Sequence, residues 1–359
     1  MRIVVMAGGT GGHVFPALAV ADELRARGHD VTWIGAPDSF EQRTVVPHGF
    51  EIDTIPVRGL RGKGLRALLS APLLLWRSVR EARGILQRRR PHVVLGMGGF
   101  AAGPGGLAAR LMRIPLVVHE QNAAPGLTNR ALSLLASKVL EAFPKTFRHA
   151  TTVGNPVRSA IAELPAPAER AAARAADSRD PVRLLILGGS QGARALNELV
   201  PAALALLPET ARPLIRHQAG RTYDLARAAY ANAGVMARIE SFIDDMPSAY
   251  GWADLVVCRA GASTIAELCA AGCASVLVPF PFAVDDHQTA NARHLADDGA
   301  AVLMQERDLD PERLAALLRD LLADRAKLLR MAQIARTKAW PRATREIAAE
   351  VLTAGGQSW

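Results

Sequence analysis

Two segments of the chain repeat one hydrophobic pattern: a short apolar run, a glycine-rich turn and a longer stretch with helical periodicity. The first apolar run begins at Ile3 and its turn covers 8–13, while the second begins at Leu184 and its turn covers 188–193. An unbroken apolar run of this length predicts a buried strand, and the periodic stretch predicts a helix. Because the two segments begin about 180 residues apart, each is predicted to open a domain of its own.

Further short apolar runs alternate with helical stretches after both segments, a pattern typical of βαβ units on a parallel sheet. The predicted strands are 31–35, 93–96, 116–119 and 138–141 in the first domain, and 214–218, 237–242, 255–258 and 275–278 in the second. The predicted fold class is therefore α/β, with two doubly wound Rossmann-like domains that face each other across a cleft. In such sheets ligands bind beyond the carboxyl ends of the strands, so the loops there should line the site.

The length of the chain also favours two domains, because 359 residues exceed the size at which one hydrophobic core stops growing. The stretch 164–180 is rich in alanine, proline and alternating charge and is the least core-like part of the chain. We expect an N-terminal domain at 1–160 and a C-terminal domain at 161–340. A final helix at 341–359 could pack back on the N-terminal domain.

The chain is basic, with a formal net charge of +9. This charge favours anionic partners but does not by itself separate nucleic acid, anionic lipid and phosphorylated metabolites. Because aromatic residues make up only 5% of the chain and no nucleic-acid-binding motif is present, nucleic acid is the least favoured of the three. The chain enters a predicted strand at its start, so no secretory leader is expected, and the apolar stretch 67–76 is too short to span a bilayer.

The chain has three cysteines, Cys258, Cys269 and Cys273, which are too few and too clustered for a disulfide framework. A reducing compartment is therefore expected. The spacing of Cys269 and Cys273 also occurs between zinc ligands, with His294 as the nearest further candidate. We favour the alternative that they are small buried core residues.

Both glycine turns suit a bound phosphate, because glycine lets the backbone approach an anion and a helix start offers N–H groups and a positive dipole end. A dinucleotide-binding dehydrogenase is disfavoured, since Val14 stands where that motif needs its third glycine and Gly35 and Ala36 replace the acidic residue that holds the ribose. A P-loop is disfavoured because neither turn ends in Lys-Ser or Lys-Thr. The plainer alternative is that such turns only allow tight packing of strand and helix.

Eight motifs, taken together, resemble the MurG family, the bacterial N-acetylglucosaminyltransferases of peptidoglycan synthesis. They are GGTGGHVFPA (8–17), GLRGKG (59–64), GMGGF (96–100), HEQN (119–122), GNPVR (154–158), GGSQGA (188–193), FIDDM (242–246) and CRAGASTIAE (258–267). The resemblance runs in order from the first residues to about Asn291. It implies a GT-B fold, UDP-N-acetylglucosamine as donor, and undecaprenyl-diphosphoryl-N-acetylmuramyl-pentapeptide as acceptor.

The resemblance also implies which residues contact the donor. They are Thr10, Gly11, Gly12, Asn122, Arg158, Ser190, Ile243, Ala262, Ser263, Thr264, Ile265, Ala266, Glu267 and Gln288. The residue types fit, because arginine offers forked donors to a diphosphate and a carboxylate can accept from both ribose hydroxyls. Glu267 has an alternative role as the acidic member of a capping box that starts at Thr264.

Two residues are candidates for the base that accepts the proton of the acceptor hydroxyl. His13 ends the first turn, and histidine ordinarily titrates near neutral pH; its alternative role is to cap the start of the helix. Glu120, in the HEQN motif, is the rival. The acidic pairs 244–245, 285–286 and 297–298 lack the Asp-x-Asp spacing of metal-dependent sugar transferases, so neither a tightly held metal nor a cofactor is predicted. Phe100 stands where some members of the family are expected to carry tyrosine. Phenylalanine has no hydroxyl, so a hydroxyl contact to the acceptor is not expected there.

A membrane-docking face is predicted at 58–90, a segment that includes the GLRGKG motif and ends before the GMGGF motif. An apolar stripe with helical spacing is flanked on both sides by basic residues, which favours an anionic membrane surface. The stripe consists of Leu69, Leu73, Trp76 and Val79, and the basic residues are Arg58, Arg61, Lys63, Arg66, Arg77, Arg80, Arg83 and 88–90. The alternative is a helix packed on its own sheet through Leu75, Val79 and Leu86.

We therefore expect a peripheral membrane enzyme on the cytoplasmic face of the bacterial inner membrane. Cell-wall synthesis proteins are expected as further partners. Two other functions stay open at this point. One is a UDP-N-acetylglucosamine 2-epimerase, which would share the donor but use no lipid acceptor. The other is a sensor that binds a nucleotide sugar without turning it over.

Overall fold

The computed structural model describes residues 1–57, 64–174, 181–189 and 191–357. They form two compact units. Unit 1 comprises Met1–Val157 and Pro341–Trp359, and unit 2 comprises Arg158–Trp340. Each unit is an α/β domain built on one parallel sheet, so the predicted fold class of two doubly wound Rossmann-like domains is confirmed.

Unit 1 alternates strands and helices along the chain. Its elements up to the boundary are β1 (Arg2–Met6), α1 (Gly11–Ala26), β2 (Asp30–Gly35), α2 (Phe40–Val45), β3 (Glu51–Thr54), α3 (Gly64–Arg89), β4 (Val93–Gly96), α4 (Ala102–Leu111), β5 (Leu116–Glu120), α5 (Leu127–Ser133), β6 (Lys138–Glu141) and β7 (Thr151–Thr152). In the described part of this unit the sheet has seven parallel strands in the order β3-β2-β1-β4-β5-β6-β7. The direction of winding therefore reverses between β1 and β4, where Met6 lies beside Gly96.

Unit 2 repeats this plan. Its elements are α6 (Ser159–Ala162), α7 (Pro167–Arg174), β8 (Arg183–Leu187), α8 (Arg194–Ala205), β9 (Leu214–Gln218), α9 (Tyr223–Ala233), β10 (Arg238–Glu240), α10 (Met246–Trp252), β11 (Leu255–Cys258), α11 (Ala262–Ala271), β12 (Ala274–Leu277), α12 (His287–Ala296), β13 (Ala301–Leu303), α13 (Pro311–Ala323) and α14 (Arg325–Thr337). Its six described strands are ordered β10-β9-β8-β11-β12-β13. The winding here reverses between β8 and β11, where Leu187 lies beside Cys258.

The chain then returns to unit 1 as α15 (Ala343–Ala354). Ile347, Ala348, Val351 and Leu352 of this helix are buried in the same apolar cluster as α1. Burial of an aliphatic side chain of this size stabilises a fold by about 1.5–3 kcal/mol. The C-terminal helix is thus an integral part of the N-terminal core.

Alternation along β1 explains the two cores of unit 1. Ile3 and Val5 point to the face covered by α1 and α15, whereas Val4 and Met6 point to the face covered by α3 and α4. Successive side chains of a strand lie on opposite faces, so a strand covered on both faces must be apolar throughout. This is why the sequence shows an unbroken apolar run there.

Most predicted strands are confirmed, and four have the predicted bounds: Val93–Gly96, Lys138–Glu141, Leu214–Gln218 and Leu255–Cys258. The strand predicted at 237–242 is shorter, at Arg238–Glu240, because the chain turns away at the edge of the sheet. Three strands were not predicted: β3, β7 and β13. They have four, two and three residues, which is too short for a periodic pattern to be recognised.

The core of unit 2 contains a buried polar network. His217 is completely buried; its Nε2 donates to Asn197 Oδ1 at 2.9 Å and its Nδ1 accepts from the Tyr230 hydroxyl at 3.0 Å. The amide nitrogen of Asn197 donates to the carbonyl of Ala219 and to Thr222 Oγ1, which fixes the orientation of the amide. Burial lowers the pKa of His217 to about 3 and raises that of Tyr230, so both side chains are neutral in the folded state.

This network predicts an acid-dependent loss of stability. Between about pH 6.5, where an unfolded histidine titrates, and pH about 3, where His217 titrates in the fold, the unfolded chain binds a proton that the native chain does not. The free energy of unfolding should therefore decrease as the pH is lowered through this window. This one group contributes at most about 1.4 kcal/mol per pH unit. In the variant His217→Gln the pH dependence of the urea midpoint should be shallower.

His149→Gln is the control variant, because it removes an exposed imidazole. It shows how the loss of a histidine outside the core changes the pH dependence of the urea midpoint. An unchanged slope in His217→Gln, measured between pH 7.5 and pH 4.5, would contradict the assignment of this window to His217.

Candidate active site

The first glycine turn lies at the carboxyl end of β1, where the winding of the sheet reverses. The N–H of Gly8 donates to the carbonyl of Gly98, in the loop after β4, at 3.2 Å. Gly99 has φ +89°, and a Cβ there would lie 2.5 Å from the oxygen of Gly8. Only glycine is tolerated at that position, since both its backbone conformation and the available space exclude a side chain. The two loops are therefore held in direct backbone contact.

A buried carboxylate organises the other side of this turn. Glu41 of α2 is 3% exposed, and it accepts hydrogen bonds from the N–H groups of Gly9 at 3.1 Å and Ala36 at 3.0 Å. One acidic side chain thus joins the turn after β1 to the loop after β2. No motif marked Glu41, because its partners are backbone groups that lie up to 32 residues away.

The start of α1 fits an anion. Thr10 is the N-cap residue, but its side chain makes no capping hydrogen bond, and the first turn carries no acidic residue. A helix start without such partners presents N–H groups and the positive end of the helix dipole to a ligand. Gly11 and Gly12 are the first two residues of α1; Gly11 is partly exposed and Gly12 is exposed. The backbone N–H groups here are therefore accessible to an anion.

His13 follows these glycines and is half-buried. Its Nδ1 lies 2.8 Å from Oε1 of Gln121, and the amide nitrogen of Gln121 lies 3.1 Å from Nδ1 of His119. His119 in turn donates from Nε2 to the carbonyl of Gly154 at 2.9 Å. The imidazole of His13 is thus held by a side chain of the loop after β5 and not by the start of its own helix, so the capping alternative is wrong.

Glu120 is buried and fully engaged. Its Oε1 accepts from the backbone and side-chain nitrogens of Asn122, at 2.9 and 3.2 Å, and its Oε2 accepts from Gly126 N–H at 3.3 Å and Asn129 Nδ2 at 3.0 Å. A carboxylate has about four acceptor positions, and all four are used here. Glu120 therefore shapes the loop that carries Asn122.

In unit 2 the second glycine turn connects β8 to α8. Gly188 N–H donates to the carbonyl of Gln218 at 2.9 Å, and Gly192 N–H donates to that of Gly189 at 3.0 Å. Ser190 lies outside the described residues. The helix that follows begins at Arg194 and has no side-chain cap, so this turn too leaves a helix start available to an anion.

Glu267 lies in α11, on the side of that helix facing Arg158 and Tyr250. Arg158 Nη2 donates to Oε1 at 3.2 Å, and the hydroxyl of Tyr250 donates to Oε2 at 3.0 Å. Burial raises the pKa of Glu267, although the charge of Arg158 acts in the opposite direction. The helix begins at Ala262 with Gly261 as N-cap, so Thr264 is not a cap and the capping-box alternative is wrong. Tyr250 carried no motif and was missed.

The remaining predicted donor contacts of unit 2 lie around the same helix start. Ser263 has a buried hydroxyl oxygen without a hydrogen-bond partner in the described chain. Ile243 is buried. Gln288 accepts from the N–H groups of Ala260 at 3.2 Å and Phe280 at 2.9 Å, so it ties the loop after β11 to the loop after β12. The positions from Ala262 to Ala266 form the first turn and a half of α11.

The predicted residues therefore fall into two groups, each assembled within one unit. Unit 1 brings the turn at 10–13 together with the loop at 119–122, and unit 2 brings Arg158 together with Glu267. In the described ranges no group of three histidine, cysteine, aspartate or glutamate side chains is placed to hold a metal ion. Phe100 is 55% exposed and follows the loop that contacts the first turn.

The chain is similar to known glycosyltransferases over nearly its full length. The pattern of the glycosyltransferase family 28 N-terminal domain matches residues 3–141, and that of the family 28 C-terminal domain matches residues 183–347. A relative from Xanthomonas campestris pv. campestris (strain 8004) is 57% identical over 355 residues, which are 99% of this chain and 82% of the relative. Its name is UDP-N-acetylglucosamine--N-acetylmuramyl-(pentapeptide) pyrophosphoryl-undecaprenol N-acetylglucosamine transferase.

Two further comparisons agree. A relative of the same name from Xylella fastidiosa (strain M12) is 55% identical, with 98% of this chain and 95% of the relative covered. The crystal structure of Acinetobacter baumannii MurG superimposes with a TM-score of 0.86 at 41% identity, covering 98% of this chain and 99% of that one. The GT-B fold class implied by the motifs is confirmed by this likeness. With matches to both family domains and relatives of more than half identity over almost every residue, the chain belongs to glycosyltransferase family 28.

Proposed function

We propose that this chain transfers N-acetylglucosamine from UDP-N-acetylglucosamine to the 4-hydroxyl of the muramyl sugar in undecaprenyl-diphosphoryl-N-acetylmuramyl-pentapeptide, with inversion at the anomeric carbon. The observation that carries the proposal is the 57% identity, over 99% of the chain, to a transferase named for this reaction. The arrangement of charge and hydrogen-bonding groups within each unit supports it.

In unit 2 the donor nucleotide is proposed to bind at the start of α11. Gly261 caps this helix without a side chain, so its first N–H groups can meet a diphosphate. The guanidinium of Arg158, 53% exposed, adds a permanent positive charge with forked donors. Glu267 is proposed to accept from the ribose hydroxyls. Its second oxygen is oriented by Tyr250, whose raised pKa keeps the hydroxyl protonated and donating.

In unit 1 we propose His13 as the base and the glycine turn as a further anion site. His13 is half-buried and has one ring nitrogen, Nε2, that is not used in the contact with Gln121. Glu120 is the weaker candidate because its carboxylate already accepts four hydrogen bonds. Asn122, Thr10, Gly11 and Gly12 remain proposed donor contacts. Departing UDP would be stabilised by groups already fixed before reaction, which is the most effective arrangement for developing charge.

Membrane association is proposed to occur through α3. Leu73 and Trp76 are 71% and 60% exposed, and the guanidinium of Arg80 lies 5.4 Å from the centre of the Trp76 ring. Arg77 and Arg83 are also exposed. An exposed apolar pair among arginines fits a bilayer surface that carries anionic lipid. We propose that this surface meets the cytoplasmic face of the bacterial inner membrane.

The predicted stripe and the alternative core contacts each need one correction. Val79 packs against the core of unit 1, together with Ala82 and Leu86, so it does not belong to the exposed face. Leu75, considered as a core contact, is 46% exposed. Arg58, Arg61 and Lys63 lie outside the described residues, as do the side chains of Arg66 and Leu69. In the described chain no helix combines the length and the apolarity needed to cross a bilayer.

The proposed reaction is tested by measuring UDP release from UDP-N-acetylglucosamine with and without the lipid-linked muramyl acceptor. Release should depend on the acceptor, and the variant His13→Asn should lower kcat by about 10²–10⁴-fold, the usual contribution of a general base, with little change in donor affinity. Release that is independent of acceptor would contradict the transferase. If Glu120→Gln, and not His13→Asn, abolished turnover in a folded protein, the base would be reassigned.

Glu267→Gln should weaken binding of UDP-N-acetylglucosamine by about tenfold or more, because hydrogen bonds to a charged acceptor are worth about 1.5–3 kcal/mol. The amide retains the volume and an acceptor for Tyr250, so the melting temperature should change little. Calorimetric titration measures the affinity. Glu198→Gln is the matched control, since Glu198 pairs with Arg194 on the surface of α8 in the same unit. An unchanged donor affinity in Glu267→Gln would exclude the ribose contact.

Replacing Leu73 and Trp76 by serine should abolish most sedimentation with vesicles of anionic phospholipid, since burial of two such side chains contributes about 3–6 kcal/mol. Donor affinity and thermal stability should be retained because both side chains are exposed. Met236→Ser, which removes a 92% exposed apolar side chain from unit 2, is the control. A double variant that melts normally and still sediments would overturn the docking assignment.

A further inference from the structure

An unbroken chain of hydrogen bonds in unit 1 runs from a backbone carbonyl to the first glycine turn. It links the oxygen of Gly154, the ring of His119, the amide of Gln121 and the ring of His13, with distances of 2.9, 3.1 and 2.8 Å. His119 and Gln121 are completely buried, whereas His13 is half-buried. The chain therefore leads from the core to the side chain proposed as the base.

The direction of every hydrogen bond in this chain is set by the carbonyl of Gly154. A carbonyl oxygen can only accept, so Nε2 of His119 must carry a proton. Burial lowers the pKa of His119 to about 4, so the ring is neutral near pH 7 and its other nitrogen, Nδ1, has a lone pair only. The partner of that nitrogen must donate, which places the amide NH₂ of Gln121 opposite His119.

A second contact fixes the same amide orientation. The nitrogen of Gln121 also lies 3.2 Å from the backbone oxygen of His119 and donates to it. If the amide were rotated by half a turn, its oxygen would face two acceptors, Nδ1 and this carbonyl, and a buried polar group without a partner costs about 1–3 kcal/mol. The oxygen of Gln121 must therefore face His13, whose Nδ1 must carry the proton.

We propose that Gln121 is a positioning residue that holds the proton of neutral His13 on Nδ1 and so leaves Nε2 as the lone pair that accepts the proton of the acceptor hydroxyl. In water a free imidazole side chain favours the opposite tautomer, with the proton on Nε2. The hydrogen-bonded chain thus imposes the tautomer in which the nitrogen not bound to Gln121 is basic.

The chemical step rests on the proposed function. The acceptor hydroxyl gives its proton to Nε2 of His13, its oxygen forms the new bond to the anomeric carbon, and the bond from that carbon to the diphosphate breaks, with the electron pair leaving on UDP. His13 then carries protons on both ring nitrogens. Gln121 is completely buried and contacts His13, so its effect on the rate should pass through His13.

Nitrogen NMR of the full chain, labelled with ¹⁵N in its histidines, tests the tautomer without any substrate. The His13 signals are assigned by their loss in His13→Asn. In the wild-type protein, at a pH where the ring is neutral, Nδ1 should show the shift of a protonated nitrogen and Nε2 that of an unprotonated one. In Gln121→Met, which keeps the volume but removes the acceptor, the pattern should move toward the tautomer protonated on Nε2. Gln87→Met, an exposed glutamine in α3, should leave the pattern unchanged.

Kinetics then separate positioning from structural damage. Gln121→Met should lower kcat about tenfold to a hundredfold, part of the range that general base catalysis supplies, and leave KM for UDP-N-acetylglucosamine within about twofold, since ground-state binding is not involved. In the background of His13→Asn the same substitution should have no further effect on kcat, because the two residues act as one pathway.

Gln121→Glu provides a rescue. A carboxylate still accepts from His13 but cannot donate to His119, so the tautomer of His13 should be retained and kcat should lie nearer the wild-type value than in Gln121→Met, while the His119 signals change. The proposal is overturned if wild-type His13 is protonated on Nε2, if Gln121→Met leaves the His13 pattern unchanged, or if the glutamate is no better than methionine. If the NMR pattern is as expected but turnover does not depend on the acceptor, only the proposed transferase function is overturned.

Discussion

The contact between the turn after β1 and the loop after β4 is the constraint on which the geometry of unit 1 depends. The N–H of Gly8 donates to the carbonyl of Gly98, and the space beside the oxygen of Gly8 is so narrow that Gly99 cannot carry a side chain. Because β1 and β4 are neighbours at the point where the winding reverses, both loops leave the sheet at the same edge. Their contact fixes where α1 begins, and with it the positions of the first helical N–H groups and of His13.

The fold was largely predictable because its strands are covered on both faces. Val93–Gly96 and Leu255–Cys258 are completely buried, so their apolar runs have the length of the strands themselves. The short edge strands are different. β3 reads Glu-Ile-Asp-Thr, with no fully buried residue, and its place in the sheet depends on pairing with β2 and not on local sequence.

The site was predictable where it depends on backbone, and less so where it depends on side chains from distant segments. The glycine turns could be located by their spacing, but Glu41 reaches the first turn from α2 and Tyr250 reaches Glu267 from α10. Thr264 and Glu267 have the spacing of a capping box, yet the helix starts at Ala262, three residues earlier than that pattern requires. On α3, helical spacing alone assigned Val79 to the same exposed face as Trp76. In the structure Val79 packs against the core of unit 1.

Both units contain a histidine whose tautomer is set by a buried amide, and the difference between the two histidines separates a structural role from a chemical one. In unit 2 the amide of Asn197 orients His217, and the chain ends on the hydroxyl of Tyr230, which is 2% exposed. Every group there is satisfied inside the core, so the network only stabilises the fold.

In unit 1 the corresponding chain ends on His13, which is half-buried at the turn where β1 meets α1. The buried part, His119 and Gln121, has fixed polarity because its last acceptor is a backbone carbonyl. Because the order of donors and acceptors in this buried hydrogen-bonded chain is fixed, it also fixes which ring nitrogen of neutral His13 carries the proton. The same polar arrangement that rigidifies the core of unit 2 can therefore set the tautomer of the proposed base in unit 1.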